Sequence, residues 1–518
     1  MTTFCYGEDY LTTGKALHIL NGAIKGVILP ETRQKIQSSF HQVHTIARGE
    51  KAVYGINTGF GPLCNTIISK NKTSELQKKL LLSHSVGVGN KLKKPLSKMM
   101  LILKVHALAR GYSGIAPHVL DRILWHIEED IIPLVPEQGS VGASGDLAPL
   151  AHLFLPLIGE GKVIVKDKIV ASSTFLQKKG LLPLELGPKS GLALINGTQF
   201  IAAHAIFVLD NFYNCLAHAD LAAAMMIDGL KGSKAPFSSQ LHQTRPFRGN
   251  IHVAHNIDRL LDGSQIMESH KDCDKVQDPY SLRCVPQVHG ASRNAWLHLK
   301  ETLEIELNSV TDNPVVFPDG QTISGGNFHG QPLALPLDYA CLALAELGNI
   351  SDRRSYLSLE GKTEGIPKLL MQNAGLNSGF MIVQYTSAAL TSENKGLCFP
   401  ASADSIPTSL GQEDHVSMGS IGSRKALKVS ENLIKILAIE FMCAAQILDF
   451  HRPLRSGPLI EKIHSAIREK VKFAKEDRIF SDDIHQIIDL IKSKRLIQIC
   501  QIKEPGKNQV LHSLFEEY

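Results

Sequence analysis

The stretch GSVGASGDLAPLAH, residues 139–152, can build a reactive group from the chain itself. Gly142 and Gly145 flank Ala143 and Ser144, and glycine permits a turn tight enough to bring the Gly145 nitrogen onto the Ala143 carbonyl carbon. Ring closure and loss of water, including the Ser144 hydroxyl, would leave an electrophilic methylidene-imidazolone. Each residue type fits this chemistry: Gly145 has an unhindered nitrogen, Ser144 carries the leaving hydroxyl, and Ala143 is small.

Other interpretations of this glycine-rich loop must be weighed. Such loops bind phosphate through backbone N–H groups, but this one has neither G-x-x-x-x-G-K-[ST] nor G-x-G-x-x-G. A hydrolase elbow requires G-x-S-x-G, and the glycines around Ser144 are misplaced for it. A purely structural loop stays open from the residues alone.

Three residues elsewhere in the first 200 positions could transfer a proton or contact a substrate. Tyr54, in VYGINTGFG, is either a half-buried packing residue or a general base whose pKa is lowered by its surroundings. His84, which follows Ser83 at the end of an apolar helix, either caps that helix or contacts a substrate. Asn196, in INGTQ, is either an N-cap or donates its amide to an oxygen on the electrophile.

Two later segments could hold the charged and polar ends of a substrate. Gln277, Tyr280 and Arg283 share one turn-rich stretch, VQDPYSLRC. A guanidinium binds a carboxylate through paired hydrogen bonds, as an amino-acid substrate requires, although Arg283 alone is more typical of a surface ion pair. Glu413 lies in the polar run QEDH, residues 412–415, which is either a helix cap or a site.

Composition narrows the class of protein. The chain has 518 residues, 43% hydrophobic and 20% charged, which is typical of a globular protein with a large core. A net charge of +5, spread along the chain, argues against nucleic acid or an anionic membrane as partner. Nine scattered cysteines without C-x-x-C spacing predict reduced thiols. His252 and His255 have H-x-x-H spacing but no third ligand nearby, so no metal site is expected.

The ends and the apolar segments of the chain bear on its location. The first residues carry Glu8 and Asp9 and no basic-then-apolar leader, so no secretion signal is expected. The most apolar segment, 433–448, is interrupted by Lys435 and Glu440 and predicts no membrane span. We therefore expect a cytoplasmic protein.

Helices must position these residues. The pattern predicts a mixed, mostly helical N-terminal region, 1–195, that carries the Ala-Ser-Gly loop, and a bundle of long helices with peripheral C-terminal helices, 196–518. Segment 433–448 is apolar nearly all round, which is typical of a fully buried helix in a bundle whose core subunits can share. The predicted elements are helices over 30–48, 73–86, 97–111 and 117–131, a hairpin over 162–172, helices over 198–230, 286–309, 336–357, 379–395 and 421–450, and shorter charged helices over 457–518.

The chain resembles the ammonia-lyase family that acts on histidine and aromatic amino acids. The matching motifs occur in the expected order over nearly the whole chain: YGINTGFG, SHSVGVG, GSVGASGDLAPLAH, LINGTQ, QDPYSLRCVPQVHG, SGGNFHGQP, NSGFMI and SIPTSLGQEDHVSMG. In that family the Ala-Ser-Gly triplet cyclises, which implies a methylidene-imidazolone and no external cofactor. The resemblance also implies the mainly helical fold of fumarase-like lyases, in a homotetramer with shared active sites.

The resemblance implies two groups of site residues. The catalytic group comprises Tyr54, Ala143, Ser144, Gly145, Tyr280 and Glu413. The substrate-binding group comprises His84, Asn196, Gln277, Arg283, Phe328 and Met381. In this scheme Tyr54 removes the β-proton, Arg283 holds the carboxylate, and Phe328 and Met381 wall the pocket.

Two positions favour one substrate. Relatives that act on phenylalanine or tyrosine resemble Phe-Leu or His-Leu where this chain has Ser83-His84, and they usually have glutamine in place of Glu413. Beside a phenyl ring, a buried imidazole and carboxylate would stay unpaired, at a cost on the order of 1–3 kcal/mol each. We therefore expect elimination of ammonia from L-histidine to give trans-urocanate. A phenylalanine or tyrosine ammonia-lyase, or an aminomutase, is the alternative. The sequence does not decide whether the amine or the imidazole ring of the substrate attacks the electrophile.

Overall fold

Helices dominate the computed structural model, which describes residues 2–64, 66, 68–500 and 509–518. The strands are β1 Thr3–Cys5, β2 Lys25–Val27, β3 Val88–Lys91, β4 Ile132–Pro133, β5 Pro136–Gln138, β6 Lys162–Val165, β7 Lys168–Ala171, β8 Val315–Val316 and β9 Thr322–Ile323. The helices before residue 196 are α1 Thr13–Leu20, α2 Pro30–Arg48, α3 Thr73–His84, α4 Lys94–Ala109, α5 Pro117–Glu128, α6 Leu147–Phe154, α7 Ser172–Lys178 and α8 Ser190–Ile195.

The second part of the chain holds the longest helices. Its helices are α9 Gln199–Gly229, α10 Ser239–Gln243, α11 Arg248–Leu261, α12 Gln265–Glu268, α13 Tyr280–Arg283, α14 Val285–Leu307, α15 Gln331–Ser358, α16 Met381–Leu397, α17 Gly419–Phe450, α18 Pro458–Lys470, α19 Phe480–Lys492, α20 Arg495–Cys500 and α21 Gln509–Glu516. The predicted mainly helical bundle is confirmed. In the predicted peripheral region, residues 501–508 lie outside the described residues. The proposed boundary between 195 and 196 falls between α8 and α9 and stays a prediction.

Local sequence accounts for the N-terminal elements. Helices α2 and α5 have proline in the first turn, where its fixed φ suits a helix and its missing N–H costs nothing. The predicted hairpin is confirmed as β6 and β7, which pair antiparallel. Its two-residue turn places Lys166 at φ 47° and Asp167 at φ 62°, as a tight hairpin requires. Strand β4 adds a third strand to this small sheet.

Helix α17 is the central helix of the bundle and packs between α9 and α15. As predicted, its segment 433–448 is buried, apart from the partly buried Lys435. The one buried carboxylate in that segment, Glu440, accepts hydrogen bonds from Nε and Nη2 of Arg354 at 2.5 and 3.0 Å. This paired geometry compensates the charge of Glu440 and joins α17 to α15.

The start of α15 differs from the prediction. The helix begins at Gln331 rather than at 336, because Pro332 occupies its first turn and Pro336 is tolerated inside the helix. Helices α9 and α15 are long and apolar enough to cross a membrane by length and composition alone. In each, 72% of the most apolar window is buried inside the protein, so both are core helices of this fold.

Candidate active site

The backbone of the Ala-Ser-Gly loop is left-handed at three of its four residues from 142 to 145. Gly142, Ser144 and Gly145 all have left-handed φ values, 81°, 48° and 79°. For a residue with a side chain, such as Ser144, this conformation costs about 1–3 kcal/mol and persists only where the surroundings impose it. A Cβ on Gly145 would lie 2.1 Å from the carbonyl oxygen of Gly197, so only glycine fits there.

Two backbone hydrogen bonds, one on each side of the loop, hold this conformation. On one side, the Asp146 N–H donates to the Gly197 carbonyl at 2.7 Å. On the other side, the Met418 N–H donates to the Val141 carbonyl at 2.9 Å. The loop is therefore held between the segment before α9 and the segment before α17.

The loop also caps the first long helix. Oδ2 of Asp146 accepts the N–H groups of Phe200 and Ile201, both at 3.0 Å, in the first turn of α9. The interpretation of Asn196 as an N-cap is therefore wrong, because Asn196 instead follows the C-terminal end of α8. Burial raises the pKa of Asp146 to about 7, although the two N–H groups oppose that rise.

A cavity of about 850 Å³ opens beside the loop. It is lined by residues 54, 59–63, 66 and 68, by α3, and by the segment that contains Glu413. The cavity brings together five residues predicted from the sequence, namely Tyr54, His84, Ser144, Asn196 and Glu413. Ala143 and Gly145 belong to the same loop as Ser144.

Three hydroxyl groups hold the Glu413 carboxylate. Ser144 Oγ donates to Oε1 at 3.1 Å, which joins the glutamate directly to the Ala-Ser-Gly loop. Thr408 Oγ1 and Ser409 Oγ donate to Oε2 at 3.1 and 2.7 Å. The sequence analysis missed Thr408 and Ser409, although two hydroxyls four and five residues before a glutamate are a visible signal. One carboxylate oxygen is thus fixed from within its own loop.

The electrostatics of Tyr54 differ from the expectation. Burial raises the pKa of its phenol, the Glu413 carboxylate adds to the rise, and a backbone hydrogen bond from Gly61 opposes it. The expectation that the surroundings lower this pKa is therefore wrong for the single chain, because burial and the nearby Glu413 carboxylate both raise it.

His84 lies across the same cavity at the C-terminal end of α3. Burial lowers its pKa, and the Leu80 carbonyl and Glu413 only partly oppose this effect. Its Nδ1 lies 3.0 Å from Ser83 Oγ. The ring is therefore neutral at pH 7, with one nitrogen that donates and one that accepts hydrogen bonds.

Asn196 is fixed through its side chain. Its Nδ2 donates to the Asn313 carbonyl at 2.9 Å and lies 3.5 Å from Asp312 Oδ1. Its Oδ1 is buried and has no hydrogen-bond partner among the described residues. Leaving a buried acceptor unpaired costs free energy, and a group bound in the cavity that donates a hydrogen bond to Asn196 Oδ1 would remove this cost.

Three predicted residues lie far from this cavity within the same chain. Helix α9 starts at the loop and has 31 residues, so it spans about 45 Å. Just beyond its far end, the Ser233 N–H donates to Asp278 Oδ2 at 2.5 Å. Asp278 in turn accepts the Nε–H of Arg283 on its backbone carbonyl at 2.9 Å. Gln277 and Tyr280 are exposed beside it.

Arg283 is not a member of a surface ion pair among the described residues. Its guanidinium lies over the Tyr280 ring, 4.6 Å from the centroid. Met381 lies at the same end of the bundle, because Gln384, one turn along α16, donates to Asp352 near the C-terminus of α15 at 3.0 Å. Within a single chain, Arg283, predicted to bind the substrate carboxylate, and Met381, predicted to line the pocket, are thus both far from the Ala-Ser-Gly loop.

Phe328 belongs neither to the cavity lining nor to the distant group around Arg283. It is half-buried, outside the lining of the cavity, and precedes His329, whose Nε2 contacts the His415 carbonyl at 3.3 Å. It is therefore near the loop that carries Glu413 rather than in the wall of the cavity.

Comparisons with known proteins identify the family of this chain. A sequence profile described as aromatic amino acid lyase matches residues 11–469. The histidine ammonia-lyase of Sorangium cellulosum (strain So ce56) is 48% identical over 480 residues, which cover 91% of this chain and 93% of that protein. The crystal structure of histidine ammonia-lyase from Trypanosoma cruzi superposes with a TM-score of 0.89 at 38% identity, covering 98% and 99% of the two chains.

The fold alone does not separate lyases from aminomutases. The structure of tyrosine aminomutase from Streptomyces globisporus superposes with a TM-score of 0.91 at 33% identity, covering 98% of this chain and 99% of that one. The reaction and the substrate must therefore be argued from the residues in the cavity.

Proposed function

This chain belongs to the aromatic amino acid lyase family, and we propose that it is a histidine ammonia-lyase that converts L-histidine to trans-urocanate and ammonia. It is a carbon–nitrogen lyase of histidine degradation, and we assign it to the soluble contents of the cytoplasm. The observation that carries the proposal is the meeting of Ser144, His84 and Glu413 in one cavity.

The loop fits the methylidene-imidazolone that the family makes from its own chain. The left-handed Ser144, and the collision that a Cβ on Gly145 would have with Gly197, are what a compressed, cyclising turn needs. Once formed, the group supplies an electrophilic methylidene carbon that activates the substrate for loss of ammonia. No external cofactor is required, because Ala143, Ser144 and Gly145 contain all its atoms.

Glu413 and His84 select an imidazole side chain. Glu413 keeps one oxygen on Thr408 and Ser409, so the other oxygen, which contacts Ser144, is directed toward the loop. The carboxylate accepts an N–H from the substrate ring, and the neutral His84 ring offers a second hydrogen bond. A phenyl ring would satisfy neither group, so histidine is favoured over phenylalanine.

Tyr54 is placed to move the β-proton. Its phenol lines the cavity together with Ser144, and the substrate β-carbon must lie between the electrophile and the imidazole pocket. Because burial raises its pKa, the phenol needs a nearby positive charge to act as a base. A guanidinium that also holds the substrate carboxylate would provide such a charge.

That guanidinium is assigned to a second copy of the chain. Arg283 is about 45 Å from the loop along α9, which is too far to serve the site of its own chain. Leu335, Tyr339 and Leu342 are exposed at helical spacing on α15, as expected of a face that packs on another subunit. We therefore assign Gln277, Tyr280, Arg283 and Met381 to a neighbouring subunit's site in a homotetramer.

Shared sites can be tested by complementation. Ser144→Ala and Arg283→Ala chains, each inactive alone, are co-expressed with different tags, and oligomers that carry both tags are purified. Random assembly places an intact Ser144 opposite an intact Arg283 in roughly a quarter of the sites, so activity should return to about that fraction. If both residues served the same chain's site, the mixed oligomers would stay inactive. Oligomers of either variant alone are the controls.

The reaction type is tested by following the substrate nitrogen. L-histidine labelled with ¹⁵N at the α-amino group is incubated with the enzyme and observed by NMR. A lyase releases the label as ammonium in an amount equal to urocanate. An aminomutase returns the label on the β-carbon of the product, and that result would replace the proposed reaction by the alternative.

A further inference from the structure

Lys104 is a buried lysine for which the reaction described above has no use. It lies in α4 within the apolar run MMLILKVHALA, and 2% of its surface is exposed. Its Nζ donates to the Asn196 carbonyl at 2.6 Å and to Gln199 Oε1 at 3.3 Å. Burial lowers its pKa to about 7, with Asp312 and Asp146 raising it and Lys189 lowering it further.

The fold gives no reason for a lysine at this position. Burial of an ammonium group costs several kcal/mol, and a methionine of similar shape would fill the same apolar run at no such cost. Lysine at such a position is therefore explained by the atoms that it holds. Those atoms belong to the segment 196–199, directly beside the Ala-Ser-Gly loop.

The segment held by Lys104 makes one of the two backbone hydrogen bonds that hold that loop. Gly197 follows Asn196, and its carbonyl accepts the Asp146 N–H at 2.7 Å. The Gly197 N–H points back to the Ser144 carbonyl at 3.5 Å. A Cβ on Gly145 would meet this same Gly197 carbonyl, so the position of Gly197 sets how tightly residues 143–145 are compressed.

We propose that Lys104 is a positioning residue for closure of the electrophile ring, a role that rests on the proposed function. By fixing the Asn196 carbonyl, it keeps Gly197 against Gly145 and so presses the Gly145 nitrogen toward the Ala143 carbonyl carbon. A bond forms between these two atoms. The first water takes the Ala143 oxygen and the amide hydrogens of Gly145 and Ser144. The second takes the hydroxyl group and the α-hydrogen of Ser144. No oxidant or other reactant is needed.

Intact mass of the purified protein tests this role without any assay of activity. Lys104→Met should fold and assemble, while the share of chains that lack two waters falls at least about tenfold from the wild-type level. Lys425→Met is the matched control, because Lys425, in α17, also donates to a backbone carbonyl, that of Phe399. It pairs in addition with Asp338 Oδ1 at 2.8 Å. The control variant should lose two waters as the wild-type protein does.

The outcomes separate this inference from the function on which it rests. A Lys104→Met protein that lacks two waters as completely as the wild type would overturn the role of Lys104. Wild-type protein at full mass would instead overturn the electrophile itself. If Lys104→Met aggregates, Lys104→Gln decides, because its polar side chain is one atom shorter and cannot place a donor where Nζ meets the Asn196 carbonyl. A complete two-water deficit in a folded Lys104→Gln protein contradicts the role, and a partial or absent deficit supports it.

Discussion

Replacement of Ser144 by alanine is expected to lower histidine turnover by about 10³-fold or more and to leave folding and assembly unchanged. The substitution removes the hydroxyl that leaves as water, so the methylidene carbon cannot form. It also removes one hydrogen bond to Glu413, which is minor beside the loss of the electrophile. Turnover of L-histidine, circular dichroism and intact mass are measured together, and the variant should lack the two-water deficit.

Ser140→Ala is the matched control for this prediction. Ser140 lies in the same loop, and its Oγ accepts the Gly142 N–H at 3.1 Å, but its hydroxyl is not part of the triplet that cyclises. The same Oγ lies 3.4 Å from the Gly145 carbonyl oxygen and 3.5 Å from Asp146 Oδ1. Loss of these weak contacts and of the Gly142 hydrogen bond should reduce turnover by no more than about tenfold, with the two-water deficit retained. Near-normal turnover by Ser144→Ala would exclude the electrophile, whatever the control does.

Glu413→Gln should reduce turnover of L-histidine by about 10²-fold. The amide has the shape of the carboxylate but lacks its charge and one of its two acceptor oxygens. Its remaining oxygen can still accept from Thr408 and Ser409, whereas its NH2 group cannot accept the substrate imidazole N–H. The oligomer and the two-water deficit should both stay as in the wild type, because Glu413 contributes no atom to the electrophile. These measurements separate a substrate-binding defect from a failure to form the electrophile.

Ser409→Ala offers a graded comparison. It removes one donor from Glu413 Oε2 and keeps the carboxylate, so the expected loss is about 1 kcal/mol, or roughly fivefold in turnover. Unchanged histidine turnover in Glu413→Gln would remove Glu413 from the site, and an effect of Ser409→Ala larger than that of Glu413→Gln would assign the role to the serine.

The parts of this protein that were predictable from sequence are those set by local patterns. Helix α2 follows from its proline start and its periodicity, and the β6–β7 hairpin follows from alternation around a two-residue turn. The loop at 142–145 is similar: its glycines are required by local backbone geometry, so their spacing is visible in the chain. The start of α15 was misjudged because two prolines fall near it, and only packing decides between them.

The parts that were missed depend on contacts between distant segments. Asp146 replaces Asn196 as the cap of α9 because the loop folds onto that helix from more than fifty residues away. The sequence analysis did not single out Lys104, because its partner, the Asn196 carbonyl, is set by the fold. The pKa of Tyr54 depends on burial and on Glu413, both of which are properties of the folded cavity.

The separation of Arg283 from Ser144 could not be deduced from either motif. Each motif is local, whereas the distance between them is set by the length and direction of α9 in the bundle. The same separation is the reason why we propose a site that is shared between subunits.

The most direct measurement of the central claim is the ultraviolet absorbance of purified protein mixed in parallel with L-histidine, L-phenylalanine and L-tyrosine. We expect the absorbance of trans-urocanate to rise with L-histidine alone, together with an equal amount of ammonia. A rise with L-phenylalanine or L-tyrosine instead would contradict the roles given to His84 and Glu413. No rise with any of the three would contradict the proposed function.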